Sequence, residues 1–171
     1  MGKIHEVVKY PDPVLAKRGE TVTVFDAELK QLVEEMFESM YAAQGIGLAA
    51  PQINISQRIT VIDVSFKKNP KEKLVLINPE IIDRKGKTVE EEGCLSLPDI
   101  REKVTRAEWV RVRAQGVNGE TFEIEGTELL GRCMQHEIDH LEGILFIDRL
   151  SRLKRDLVIR KIKKLIKNGE W

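Results

Sequence analysis

Apolar positions along this chain follow two periods, one near 3.6 residues and one of 2, and the switches between them divide it into elements. From Asp26 onward, Leu29, Leu32, Val33, Met36, Phe37, Met40 and Tyr41 form one helical stripe. Asp26 is placed to cap that helix, and the stripe stops at Gly45-Ile46-Gly47. Strand-like segments follow. Ile59 to Phe66 and Leu74 to Ile82 are rich in β-branched and apolar residues. Trp109 to Ala114 sets Val110, Val112 and Ala114 against Arg111 and Arg113, the alternation of a half-buried strand. Asn118-Gly119 predicts a hairpin turn, with Thr121 to Ile124 as the return strand. The helical period resumes over Thr127 to Glu142, through Leu130, Cys133, Met134, Ile138 and Leu141, and Gly143 stands where such a helix would end. A third helix is expected at about 151–167, with Leu153, Leu157, Ile162, Leu165 and Ile166 as its buried side. Near the start, Pro11 and Pro13 suit an extended or turning segment. Strands between helices, with a hairpin signal and no βαβ alternation, predict an α+β fold with mainly antiparallel sheet. No linker interrupts the pattern, so residues 1–171 are expected to form a single domain.

Composition narrows the class. Hydrophobic residues make up 42% and charged residues 33%, a balance suited to a packed core and not to disorder. No apolar run reaches membrane-spanning length. The opening residues lack the apolar core of a secretory signal, and Gly2 is not followed by the Ser or Thr of a myristoylation site, since position 6 is Glu. The expected compartment is the cytoplasm. There a disulfide between Cys94 and Cys133 is disfavoured, which leaves each cysteine as a metal ligand or a small buried apolar group.

The densest chemistry lies in His136-Glu137-Ile138-Asp139-His140. On a helix, residues four apart share a face, so the two histidines can close on one metal ion with Glu137 beside it as a proton carrier. A catalytic site of this kind lacks one protein ligand. Cys133 lies one turn before His136, but at about 1.5 Å rise per residue it sits roughly 10 Å along the axis from His140. One metal does not span that distance easily. Cys94, in Glu92-Gly93-Cys94-Leu95-Ser96, is the best third ligand, with Glu142 and Asp148 as carboxylate alternatives. One Cys and two His would leave a coordination position open for water. A metalloprotease would use the same histidine pair. A non-catalytic RNA-binding protein would instead need a closed site of four ligands.

Three segments together resemble one family, peptide deformylase. They are Gly45-Ile46-Gly47-Leu48-Ala49-Ala50-Pro51-Gln52, then Glu92-Gly93-Cys94-Leu95-Ser96, then Gln135-His136-Glu137-Ile138-Asp139-His140. With Glu-Gly-Cys-Leu-Ser and a helical C-terminal extension, the chain resembles the bacterial type I members. The resemblance implies sheets packed around a central metal-binding helix, and hydrolysis of the formyl group from formyl-methionine of nascent polypeptides, with release of formate. It implies Cys94, His136 and His140 as metal ligands and Glu137 as the general acid/base. The Gln52 amide and the Leu95 backbone N–H would donate to the formyl oxygen. Ile46, Gly47 and Gly93 would bind the substrate peptide, Cys133 would wall the methionine pocket, and Arg101 would sit near its mouth. The implied native metal is Fe(II), with Zn, Ni or Co as replacements. The donor set alone does not choose among them.

Charge adds one more feature. The net charge is zero, yet residues 149–169 hold nine Lys or Arg and one acid, a net +8 that leaves −8 on the rest. Such a tract is either a solvated helix face or a docking surface for a polyanion. The resemblance makes that polyanion the ribosome near its exit tunnel. The protein is expected to be a monomer with no membrane partner.

Overall fold

A computed structural model describes residues 2–171. Asp26 accepts the Leu29 N–H at 3.0 Å and opens helix α1 (Ala27–Ala42), whose stripe buries Leu29, Val33, Met36, Phe37 and Met40. Gln44 ends it at positive φ. The chain then lays down β1 (Gly47–Ala49), β2 (Ile59–Ile62) and β3 (Leu74–Lys85). The hairpin β4 (Thr88–Cys94) and β5 (Leu97–Arg106) follows, then β6 (Trp109–Gln115), β7 (Thr121–Thr127), α2 (Glu128–Leu141) and α3 (Arg152–Lys167).

The fold is α+β, as expected, and the pairings among β1–β7 are all antiparallel. Five strands form one sheet in the order β1-β2-β3-β6-β7, and β4-β5 form a second. Successive side chains on β2 point to opposite faces. Ile59 and Val61 pack in the cluster built on α1, while Ile62 packs with Leu76, Val110, Met134 and Ile138 under α2. The large sheet is thus covered on both sides, and all four residues of β2 are buried. A third cluster joins Val14 and Leu15 of the N-terminal segment to Leu97, Phe146, Val158 and Ile162, and holds the small hairpin and α3 against the body.

Several elements differ from the sequence expectation. The strand from Ile59 ends at Ile62 because Asp63 gathers the next residues into a turn. Its carboxylate accepts the Ser65 N–H (3.0 Å) and hydroxyl (2.6 Å), the Lys67 N–H (3.0 Å) and the Tyr41 hydroxyl (2.5 Å). Phe66 and Lys67 take positive φ, outside any strand geometry. The expected β6–β7 hairpin does form, with Asn118-Gly119 inside a five-residue connection, 116–120, closed by Gly116 N–H to Glu120 C=O at 2.9 Å. Three strands were not anticipated: β1, β4 and β5. β4 reads Thr-Val-Glu-Glu-Glu-Gly-Cys and carries no alternating apolar set.

The third helix buries Ile162 as expected but otherwise turns a different row inward. Val158 and Ile162 are buried, whereas Leu153, Leu157 and Ile166 are 70%, 51% and 43% exposed. The helix meets the body through Val158 and Ile162, with Ile159 and Leu165 half-buried beside them and Arg155 paired to Asp148, while Leu153, Leu157 and Ile166 stay outside. Among the described residues, no helix is long and apolar enough to cross a membrane.

Candidate active site

Each of the three motifs occupies a different wall of one cavity of about 530 Å³. Helix α2 forms the floor and is buried without interruption from Gly131 to Leu141. It carries His136 and His140 on one face, their rings 5.0 Å apart. The β4–β5 hairpin brings Cys94 over that face, 3.4 Å from His140 Nε2. One donor atom from each of Cys94, His136 and His140 lies within 4.8 Å of the others. Among the described residues, this is the only such group of three.

The donor set and its surroundings fit a single metal ion. Nδ1 of His136 meets the Glu92 carboxylate at 2.9 Å. With the proton placed on Nδ1, the Nε2 lone pair is left toward the cysteine. Burial opposes a charge on His136, but the Cys94 thiol and the Glu92 carboxylate outweigh it and raise its pKa to about 10. His140 is pushed the other way: burial, with the charges of His136 and Arg106, holds it well below the ordinary imidazole value, so it stays a neutral donor. Cys133 does not join the group. It is buried against Gly47, and burial raises its thiol well above the ordinary value, so it packs as an apolar group. The carboxylate alternatives lie elsewhere. Glu142 pairs with Arg58 and Arg18, and Asp148 accepts from Leu145 N–H and Arg155.

Glu137 sits beside the group with Oε1 buried and without a hydrogen-bond partner. Burial raises its pKa to about 7 against the opposing charge of His136. A carboxyl group near neutrality can both take and return a proton. Gly47 makes room for it: a Cβ there would stand 2.6 Å from Glu137 Oε2 and 3.0 Å from Cys133 Sγ. Gln52 is fixed from both ends. Its Oε1 accepts the Ala49 N–H at 2.9 Å, and its Nε2 donates to Ser96 Oγ at 3.2 Å while lying 3.6 Å from Cys94 Sγ. Its amide N–H group is thereby turned toward the ligand cluster. Ile46, Gly47, Gly93, Leu95 and Arg101 all line the same cavity. Arg101 is exposed at the rim and pairs with Glu91 at 2.6 Å.

Sequence reasoning missed the support beneath the ligands. Glu92 is buried and holds His136, both Nε and Nη2 of Arg106 (2.9 Å each) and Nη1 of Arg132 (2.5 Å). Burial alone would raise its pKa, but hydrogen bonds from His136 and Arg106, with the charge on Arg106, hold it well below the ordinary carboxylate range. Arg106 extends the chain of contacts to Asp139 at 2.6 Å, which Arg149 grips through two nitrogens. The available signal was an acid directly before the Gly-Cys pair, but it was one of three consecutive glutamates. Only the strand register shows that Glu92 is the buried one.

Comparison with known proteins gives a consistent picture. The polypeptide deformylase family profile matches residues 4–156. A peptide deformylase of Acidobacterium capsulatum is 68% identical over 168 residues, covering 98% of this chain and 99% of that one. The crystal structure of a peptide deformylase from Legionella pneumophila superposes with a TM-score of 0.90 at 46% identity, covering 98% of both chains. One from Plasmodium falciparum superposes at 0.89 with 41% identity, covering 95% of this chain and 96% of that one. Matching motifs, ligand geometry and near full-length likeness agree, and the chain belongs to the polypeptide deformylase family.

Proposed function

We propose that Glu137, Gln52 and Leu95 carry out the hydrolysis of the N-terminal formyl group of nascent polypeptides at a metal held by Cys94, His136 and His140. Deformylation is the activity of this family. The observation that carries the residue assignment is the buried, unpartnered Glu137 beside the convergent Cys-His-His donors. When bound, a divalent metal supplies Lewis acidity toward water and the formyl oxygen. Glu137 takes a proton from the attacking water. The water oxygen bonds to the formyl carbon, and negative charge grows on the formyl oxygen. The Gln52 amide and the Leu95 backbone N–H donate to that oxygen where the charge develops. The C–N bond then breaks, Glu137 returns the proton to the amine nitrogen, and formate leaves. Ile46, Gly47 and Gly93 bind the peptide main chain, Cys133 walls the methionine pocket, and Arg101 stands at the mouth.

Fe(II) is the native metal in this reading, and Zn, Ni or Co can replace it. The thiolate and imidazole donors suit all of them. The test is formate release from a formyl-methionyl peptide by iron-loaded protein under anaerobic conditions. Absence of formate with iron bound would overturn the reading. Glu137→Ala is expected to keep the metal and lose at least about 10²-fold in rate.

The protein acts in this reading as a single-domain monomer in the cytoplasm, with α3 docked on ribosomal RNA near the exit tunnel. Lys161, Lys163 and Lys164 are all exposed on that helix, which supports the docking. Co-sedimentation with ribosomes at low and high salt tests it. Binding that is unchanged after reversing those three charges to Glu would sink the idea.

A further inference from the structure

A second cavity, of about 390 Å³, lies behind the metal site. It forms where the chain leaves β3 of the large sheet and enters β4 of the small one, and α2 closes it through Gln135 and Asp139. Its wall is rigid there. Gln135 accepts the Ala107 N–H at 3.0 Å and donates back to the Ala107 carbonyl at 2.9 Å.

The charge of this cavity is its distinctive property. Five cationic side chains line it: Arg84, Lys85, Lys87, Arg106 and Arg149. Asp139 is the only carboxylate in the lining, and it already accepts Arg106 at 2.6 Å and Arg149 at 2.7 and 3.0 Å. Arg106 is further neutralised by Glu92. Arg84 and Lys87 make no ion pair among the described residues, and Lys85 lies over the Trp109 ring, 4.9 Å from its centroid. Two acids flank the turn outside the lining: Glu108 lies beside Gly86, and Asp83 accepts the Arg84 backbone N–H at 2.8 Å. Outside residues 149–169 the chain carries −8, so a cationic hollow here runs against its surroundings. Lysines and arginines left free around a concavity with a preset wall match the geometry and charge of a phosphate group.

We propose that this cavity is a binding site for a phosphate group, separate from the metal site and from the charged face of α3. Two sources share that chemistry, a free phosphoanion and the backbone of an RNA. Arg149 belongs both to this cavity and to the basic tract that continues into α3.

The test uses Trp109, since Lys85 rests on its ring and the chain has only two tryptophans. In metal-loaded Trp171→Phe protein, Trp109 emission is followed during titration with inorganic phosphate and, separately, with a short RNA. Sodium chloride at matched ionic strength is the control. The expected result is a saturable change absent with chloride. It should weaken about tenfold or more in Arg84→Glu/Lys87→Glu protein, which should keep its melting temperature and its deformylation of a formyl-methionyl peptide. Saturation by phosphate alone assigns the site to a free phosphoanion, and saturation by RNA at far lower concentration assigns it to a nucleic-acid backbone. The proposal is overturned if chloride gives the same change. It is also overturned if neither probe saturates, or if binding survives that double reversal but is lost on reversing Lys161, Lys163 and Lys164.

Discussion

Helices α2 and α3 have similar lengths and both carry charges along an apolar stripe, yet they sit in opposite settings. Every residue of α2 from Gly131 to Leu141 is buried, including Arg132, Gln135, His136, Glu137, Asp139 and His140. In α3 only Val158 and Ile162 are. Burying a polar group without a partner is costly, so polar side chains in α2 are tolerated only because they are matched. Arg132 and His136 meet Glu92, Gln135 meets the Ala107 backbone, and Asp139 meets two arginines. Among the described residues, the buried side-chain atoms left unmatched are Glu137 Oε1 and His140 Nδ1, both on residues of the His-Glu-Ile-Asp-His run. In α3 the charged side chains are mostly exposed, and among the described residues only Arg155 makes an ion pair, with Asp148. Unsatisfied groups inside a satisfied network mark chemistry, whereas charge on an exposed helix does not.

The largest effect should follow from emptying the ligand set over α2. Cys94→Ala is expected to abolish stoichiometric metal binding and, with it, formate release. Cys133→Ala, one turn from His136, should keep its metal. Metal analysis of the two purified variants breaks the assignment if Cys94→Ala retains a full equivalent.

Next in size is the support under those ligands. Glu92→Ala would leave Arg132 buried without a carboxylate and Arg106 with Asp139 alone, and loss of one partner in such a group costs about 3–5 kcal/mol. It would also free the His136 ring, and loss of an outer partner lowers metal affinity about 10–100-fold. Chemical denaturation and competition with a chelator measure the two effects. The sign of the pH dependence follows from the depressed pKa of Glu92 in the folded protein. Its contribution is full above the unfolded carboxylate value, about 4.3, and is lost as pH falls through the lower folded value. Glu92→Gln should therefore flatten the acid side of the stability curve below about pH 4. An unchanged acid limb would show that Glu92 is not held as its contacts indicate.

Both helices were legible in the sequence as helices, and α2 was legible as a site, because its chemistry lies in adjacent residues. His136 and His140 need only the helical repeat to meet. Cys94 was reachable because a catalytic site with two histidines lacks a third ligand, although Glu142 and Asp148 stayed open until their own arginine and backbone partners were seen. Glu92, Arg106 and Arg149 were not legible. They are far apart in sequence: Glu92 and Arg106 meet through the β4–β5 pairing, which carries no alternating apolar signal, and Arg149 joins them only through Asp139 of α2. For α3, periodicity showed that the helix is amphipathic but not which row faces inward. That row is chosen by Val14, Leu15 and Phe146, residues outside the helix.

The inward row of α3 can be tested by what its removal costs. Ile162 is fully buried in the cluster with Val14, Leu97 and Phe146. Ile162→Ala should destabilise by about 2–5 kcal/mol, the usual range for truncating a buried isoleucine. Thermal or denaturant unfolding reads it directly. A cost near zero would mean that the helix is not docked there.

The smallest effect should come from the row that sequence periodicity placed inside. Leu153 and Leu157 are 70% and 51% exposed, and they lie one turn apart on the outer side of α3. Replacing an exposed apolar residue by a good helix former such as lysine removes almost no packing and leaves helix propensity nearly unchanged. Leu153→Lys and Leu157→Lys should each shift stability by no more than about 0.5 kcal/mol. Deformylation of a short formyl-methionyl peptide should not change, because neither residue lines the metal cavity. The contrast with Ile162→Ala is the informative quantity: it compares two rows of one helix in one protein, and the helix propensity gained in Ile162→Ala works against its expected loss, so the contrast is not produced by propensity. If the lysine variants lost several kcal/mol, the outer row would be packed in solution against something, and α3 would resemble α2 more than its exposure suggests.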